Sequence, residues 1–241
     1  MDLQSSPAEP PSIAYIDGPR FARGLSAGIR HLFQRRDYIN KINVFPVPDG
    51  DTGTNMAFTF KAIFEALGNH PNHRLEDVIE RVASAALDGA RGNSGAIMAQ
   101  FLQGFRESVE ETQLLTPSGL ARASLKGAEQ SWTAMSEPVP GTLPTVLEDF
   151  ANALADGAYQ GIKDIRELLQ LGLEQARVSL ANTPNQLAVL KSAGVVDAGG
   201  QGFVDLLEGI WTFTDTGAVD DLAEQMSDLE TVEFDVDLEI G

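Results

Sequence analysis

The sequence predicts an all-α domain, a barrel or bundle of about eight antiparallel amphipathic helices, followed by an acidic tail. Three observations carry this. Apolar residues recur at spacings of three and four in segment after segment between Phe21 and Phe213, the period of a helix with one buried face. Nothing before residue 215 shows the apolar–polar alternation of a half-buried strand. Glycine and proline cluster where these periodic segments start and stop. The expected division is a patternless N-terminus over 1–14, a helical body over 15–214 and an acidic tail over 215–241. A chain of 241 residues forms one large domain or two small ones. It buries roughly 70–75% of its unfolded surface without covalent staples.

Residues 1–14 are proline-rich and polar, a composition expected to be disordered. The first helix opens at Asp17, a capping residue, with Pro19 in its first turn. Its stripe is Phe21, Leu25, Ile29, Leu32 and Phe33, and it runs to about Lys41. A stiff loop follows, then a helix from Thr54 to Leu67 with Met56, Phe60, Ile63, Phe64 and Leu67 on one face. His70 and His73 fall in the next loop; with no further ligand nearby they read as solvated histidines, because a zinc site needs three or four donors. Leu75 to Leu87 is the third helix, and a fourth starts near Asn93 or Ser94 and reaches Val109. Thr116-Pro117 opens a fifth, expected to end near Met135. The rigid stretch Glu137-Pro-Val-Pro-Gly141-Thr142-Leu-Pro144 leads into a helix ending at Ala158. Asp164 to Leu180 and a short helix from Asn185 to Ser192 follow, the latter stopped by Gly194. The last helix carries Phe203, Leu206, Leu207, Ile210, Trp211 and Phe213.

Composition narrows the function. There is no cysteine, so disulfides, thiolate metal sites and cysteine nucleophiles are excluded together. The N-terminus lacks a basic and then apolar leader pattern, and no apolar run approaches ~18 residues, so a cytoplasmic location without a membrane span is expected. A formal charge of −18 argues against a nucleic-acid partner. Ten acids and no Lys or Arg lie between Asp215 and Gly241, leaving −8 for the residues before them.

The chemically loaded stretch is Asn43-Val-Phe-Pro-Val-Pro-Asp49-Gly-Asp51-Thr-Gly-Thr-Asn55-Met56. Pro46 and Pro48 stiffen the backbone. Gly50 and Gly53 supply freedom. Asp49 and Asp51 then arrive together just before a helix N-terminus, an end that favours anions. Asn43 adds an amide oxygen. Oxygen donors beside an anion-binding helix end suit Mg²⁺ shared with phosphate, although the same residues also suit an ordinary turn and cap. An EF-hand is excluded, since its sixth position would be Thr54 and its twelfth Phe60. A second stretch, Gly89-Ala-Arg91-Gly-Asn93-Ser94-Gly95-Ala96, opens another helix. Asn93 and Ser94 are capping types, while Gly92 and Gly95 leave bare backbone for an anion. Arg91 is either an exposed charge or a cation aimed at a transferring phosphoryl group. A third stretch, Gly194-Val-Val-Asp197-Ala-Gly199-Gly200-Gln-Gly202, lacks the flanking strands of a dinucleotide fingerprint. Asp197 there is either a helix cap or part of a binding loop.

These three stretches resemble the DhaL-type nucleotide-binding domain, over roughly residues 15–214. The first is most similar to the version at the N-terminus of the bacterial fatty acid kinase A subunit. The resemblance implies a barrel of eight antiparallel helices with Mg²⁺ and ATP or ADP at one end. It implies Asn43, Asp49 and Asp51 as ligands of one or two Mg²⁺. Thr54, Asn55, Asn93, Ser94, Gly95, Gly141, Thr142, Asp197 and Gly199 would lie at the nucleotide, Met56 against the base, and Arg91 at the transferring group. Gly141 and Thr142 equally suit a capped helix start. It further implies a kinase that phosphorylates a fatty acid carboxylate held by a separate fatty-acid-binding protein, with a homodimer among the expected assemblies. The dihydroxyacetone kinase relatives carry a third Asp where Asn43 aligns, and that departure leaves the number of metal ions open. Dihydroxyacetone-type phosphotransfer and a non-catalytic nucleotide-binding regulatory module are the alternatives.

The tail changes character. Val232 to Ile240 alternates apolar and acidic residues without a break, the pattern of a strand with one buried face. A lone strand has nothing to pair with. The fatty acid kinase subunit that the first motif resembles continues into further domains, so the resemblance implies a fragment ending where the next domain's sheet begins. A disordered acidic tail is the rival reading.

Overall fold

The computed structural model describes residues 12–68, 74–109 and 112–216. His70, His73, most of the N-terminal stretch and the alternating segment 232–240 lie outside them. Among the described residues there are nine helices: α1 (Gly18–Lys41), α2 (Thr52–Gly68), α3 (Leu75–Gly89), α4 (Gly92–Glu107), α5 (Pro117–Ser131), α6 (Leu143–Tyr159), α7 (Ile165–Gln186), α8 (Ala188–Ala193) and α9 (Ala198–Thr216). The all-α expectation holds. The short helix expected over Asn185–Ser192 is α8, a connector between α7 and α9 that Gly194 ends, and the other eight match the expected number.

Eight of these helices close a ring. Each of α1 to α7 packs against its sequence neighbour, α7 packs on α9, and α9 returns to α1. Their inward stripes form one core that includes Ile29, Phe60, Ile79, Met98, Leu147 and Phe203. Apolar burial on that scale is the main driving force for such a bundle. Within the ring lies an apolar cavity of about 310 Å³, bounded by Phe60, Phe101, Phe150, Phe203 and Leu207, with Arg20 and Arg23 also on its lining.

Local chemistry sets the helix ends. The Asp17 carboxylate accepts the Arg20 N–H at 2.9 Å and Thr116 Oγ1 accepts the Gly119 N–H at 3.2 Å, as their capping identities predict. α5 stops at Ser131, short of Met135, where Ser131 and Thr133 hydroxyls donate to the carbonyls of Ala128 and Gln130. α7 continues past Leu180 to Gln186 with Pro184 inside it. Proline cannot donate to the carbonyl four residues back, and the Thr183 hydroxyl takes over the Leu180 carbonyl at 2.8 Å. The N-terminal boundary also differs from expectation. Ile13 is tied to the start of α7, donating to Asp164 Oδ1 at 3.1 Å and accepting from the Ile165 N–H at 2.8 Å. Ile16 forms an isolated antiparallel bridge with Leu115.

Candidate functional site

The ring brings the N-termini of α2, α4, α6 and α9 to one end. In antiparallel helices joined in sequence every second N-terminus shares an end, and α8 puts α9 back into that alternation. Between these ends opens a cleft of about 290 Å³. Asp49, Asp51, Thr52 and Asn55 enter it from the first motif, Gly92, Asn93 and Ser94 from the second, and Thr142 to Pro144 from the proline-rich loop. Asp197 and Gly199 close its floor. Nine of the residues that the sequence singled out, Asn43, Asp49, Asp51, Asn55, Asn93, Ser94, Thr142, Asp197 and Gly199, line this one cleft.

Asp49 and Asp51 are both exposed and make no side-chain hydrogen bond or ion pair among the described residues. Gly50, with φ of +68°, provides the left-handed turn between them, which a side chain rarely adopts. Asn43 behaves differently from expectation. It is buried, its Oδ1 accepts from both the backbone N–H and the hydroxyl of Thr52, and its Nδ2 donates to the Val47 carbonyl at 2.9 Å. An amide oxygen has two lone pairs, and both are occupied. Asn43 therefore braces the base of the carboxylate loop at the edge of the cleft, with its oxygen engaged by Thr52.

α4 begins without a capping side chain, because its N-cap is Arg91. Asn93 and Ser94 sit inside the first turn rather than before it. The N–H groups of Gly92, Asn93 and Ser94 therefore lack intrahelical acceptors and lie on the cleft. The Gly95 N–H is already bonded to the Arg91 carbonyl at 3.1 Å, and Gly95 is bare because Thr59 Oγ1 of α2 occupies the space of a Cβ. Thr54 is likewise engaged: its N–H donates to Asn40 Oδ1 at 3.0 Å and its hydroxyl accepts from Asn40 Nδ2 at 2.9 Å. Gly141 faces α7, its N–H donating to Thr145 Oγ1 at 2.9 Å. Met56 is fully buried, and a Cβ on Gly202 would stand 2.5 Å from its sulfur. Thr54, Met56, Gly95 and Gly141 thus form the frame behind the cleft instead of its lining. The Arg91 guanidinium rests on the neighbouring Ala90 carbonyl at 3.1 Å, outside the cleft lining.

Asp197 unites the two readings left open for it. It caps α9, Oδ2 accepting the Gly200 N–H at 2.7 Å, and its carboxylate also accepts the Leu143 N–H at the start of α6. Its own N–H donates to Thr183 Oγ1 at 3.0 Å. Three helices are fastened through one residue, α9 and α6 by its carboxylate and α7 by its backbone N–H. Burial pushes its carboxyl up to about 6 against the pull of those two N–H donors. The glycines after it lie within the first turn of α9 rather than in a loop. A Cβ at Gly199 would stand 2.9 Å from Ser94 Oγ, so glycine there lets the α9 and α4 ends touch.

Sequence reasoning missed Phe45, Val47, Ile97, Met135, Glu137 and Val139, which complete the cleft wall. They are mostly apolar, a surface suited to an aromatic ring. Among the described residues the cleft lining holds four acids, Asp49, Asp51, Glu137 and Asp197, and no Lys or Arg. A polyanion alone would be repelled there. A polyanion carrying divalent cations would not.

A model of the DAK2 domain matches residues 46–212. Uncharacterized proteins of Staphylococcus saprophyticus and Staphylococcus epidermidis are each 39% identical over 197 residues, covering 82% of this chain and 36% of the relative. The chain therefore spans about a third of the length of the curated relatives it matches. Among solved structures, the dihydroxyacetone kinase from C. freundii in complex with AMP-PNP and Mg²⁺ superposes with a TM-score of 0.64 at 16% identity, over 88% of this chain and 37% of that one. The native form of that kinase gives 0.61 at 15% identity over the same shares. At this identity the likeness shows a shared fold. The match over most of the helical ring makes the chain a member of the DAK2, or DhaL-type, domain family.

Proposed function

We propose that the cleft binds Mg²⁺–ATP and that the chain is the ATP-binding part of a kinase phosphorylating a fatty acid carboxylate. The carrying observation is the cleft's composition: free Asp49 and Asp51, the open N–H groups of α4, an apolar wall and no cation of its own. The oxygen-only donors Asp49 and Asp51 fit Mg²⁺, which prefers one or two carboxylates together with phosphate and water. When bound, Mg²⁺ supplies charge neutralisation between the phosphates. Asn93 and Ser94 N–H groups would hold the phosphate oxygens, and Asn55 and Thr142 would orient them. Phe45, Val47, Ile97, Met135 and Val139 would enclose the base.

A carboxylate acceptor is already ionised at neutral pH. One of its oxygens bonds to the γ-phosphorus as the bond from that phosphorus to the bridging oxygen breaks, giving acyl phosphate and ADP. No proton has to be removed, so no general base is required. The cleft accordingly needs no histidine, and among the described residues none lines it. The fatty acid, its presentation by a separate fatty-acid-binding protein, a homodimer and a cytoplasmic site of action rest on the resemblance of the first motif to the fatty acid kinase subunit. Arg91 at the cleft rim would contact the transferring group only after its side chain swings from Ala90.

The test uses a protein of the relatives' full length with labelled ATP, comparing a fatty-acid-loaded binding protein against dihydroxyacetone as acceptors. Label on the acyl group is expected. Label on dihydroxyacetone instead would overturn the acceptor assignment, and nucleotide binding without transfer to either would favour a regulatory module.

A further inference from the structure

A second cluster of metal-ligating side chains lies on the seam where the ring closes, away from the cleft. α1 and α9 meet there in backbone contact. A Cβ on Gly28 would stand 2.6 Å from the Leu206 carbonyl oxygen, and one on Gly209 would stand 2.7 Å from the Gly28 Cα and from His31 Cβ. This approach sets His31 of α1 beside Asp205 and Glu208, which are three residues apart on one face of α9. One nitrogen of His31 and one oxygen from each carboxylate all lie within 4.8 Å of one another.

The pairing of the remaining atoms is informative. Arg35 and Gln201 both address Oδ1 of Asp205, at 3.5 and 2.9 Å. Arg177 addresses Oε1 of Glu208 with two nitrogens, at 3.0 and 2.7 Å. Each carboxylate is thus oriented through one oxygen. Glu208 Oε2 is left facing His31 Nε2 at 3.6 Å. Asp205 Oδ2 is left buried with no hydrogen-bond partner, on a residue only 1% exposed. Leaving a buried carboxylate oxygen without a bond is unfavourable, so a partner is implied there. Outer groups that fix a ligand's orientation through its other atom are the usual surroundings of a metal site. Two donors of a tetrahedral ion with bonds near 2.05 Å stand about 3.4 Å apart, close to the His31–Glu208 separation. The side chains of His31 and Glu208 are 36% and 31% exposed, which gives an ion a way in.

We propose that His31, Asp205 and Glu208 form a site for a first-row transition-metal dication that fastens α1 to α9. One imidazole and two carboxylates suit Zn²⁺, Mn²⁺ or Co²⁺, with open positions filled by water. Arg35 and Arg177 balance the two carboxylate charges and hold the ligands in place. The site shares no residue with the cleft, so its success or failure is independent of the ATP reading.

The experiment uses the metal-free chain in an Asp49→Asn, Asp51→Asn background, which removes the two exposed carboxylates of the first motif. Co²⁺ is titrated by visible absorbance and Zn²⁺ by calorimetry. One equivalent per chain is expected, with a rise in melting temperature. His31→Gln and Glu208→Gln, checked for fold by far-UV circular dichroism, should each weaken binding by at least about 100-fold. A His70→Ala, His73→Ala variant, which removes the other two histidines, should bind as before. Absence of binding to the parent, binding unchanged in His31→Gln, or loss in the His70/His73 variant would each overturn the proposal and leave a closed ion-pair network.

Discussion

Asp197 makes the structure's pH dependence measurable. Its carboxyl lies near 6 in the folded chain against 3.8 for an unperturbed Asp. The cause is burial, only partly offset by the Gly200 and Leu143 N–H donors. A raised carboxyl means that the folded state holds its proton more tightly than the unfolded state does. The resulting stability is fully present below about pH 3.8 and is lost as pH rises through about 6. The difference of about two units corresponds to roughly 3 kcal/mol, or roughly 6–12 °C in melting temperature for a domain of this size. The assay is urea unfolding of the parent and of Asp197→Asn at pH 4, 5, 6, 7 and 8. Asparagine keeps the shape and an acceptor but cannot ionise, so other titrating groups cancel in the difference. Relative to the parent, Asp197→Asn should gain about 2.4 kcal/mol in going from pH 4 to pH 7. A difference that stays flat across this range would refute the reasoning, because the N–H donors would then offset burial completely.

Further expectations concern the frame of the cleft. Gly53→Ala would drive a Cβ into the Arg36 carbonyl oxygen where α2 lies on α1, and should cost about 1–3 kcal/mol or more in urea unfolding. Asn43→Asp keeps an acceptor for Thr52 but loses the donor to Val47; a loss of about 1–3 kcal/mol without tighter Mg²⁺ binding is expected by calorimetry, whereas tighter binding would restore position 43 to the metal shell. Arg91→Ala should leave Mg²⁺–ATP affinity unchanged and slow transfer in the full-length enzyme, and an unaltered transfer rate would remove it from catalysis.

Much of this arrangement was legible in the sequence, for identifiable reasons. The period of three and four marks buried faces directly, so the helix stripes of α1, α2 and α9 came through. The first motif announced Asp49 and Asp51 because prolines and glycines encode backbone geometry locally. What failed was assignment of side chains whose partners are distant in sequence. Asn43 is a metal-type residue by identity, but its oxygen is used up by Thr52. Met56 belonged to the stripe with Phe60 and Ile63, and that membership already marked it as core. Gly95, Gly199 and Gly202 are bare because another helix crosses them, which no local pattern distinguishes from bareness awaiting a ligand. Glu137 and Met135 stand at the cleft because α5 ends early, a point decided by Ser131 and Thr133 capping carbonyls. The closure of α9 on α1 depends on glycines at 28 and 209, too far apart in sequence to be paired by inspection.

The most direct measurement is the thermal stability of the chain with ATP, with and without Mg²⁺, for the parent and for Asp51→Asn. A ligand present at ~100 times its dissociation constant stabilises by about 2.7 kcal/mol. With four acids and no basic side chain on the cleft among the described residues, stabilisation should require Mg²⁺ and vanish in Asp51→Asn. Stabilisation by ATP alone, or an equal response in Asp51→Asn, would contradict a carboxylate-held Mg²⁺–nucleotide site.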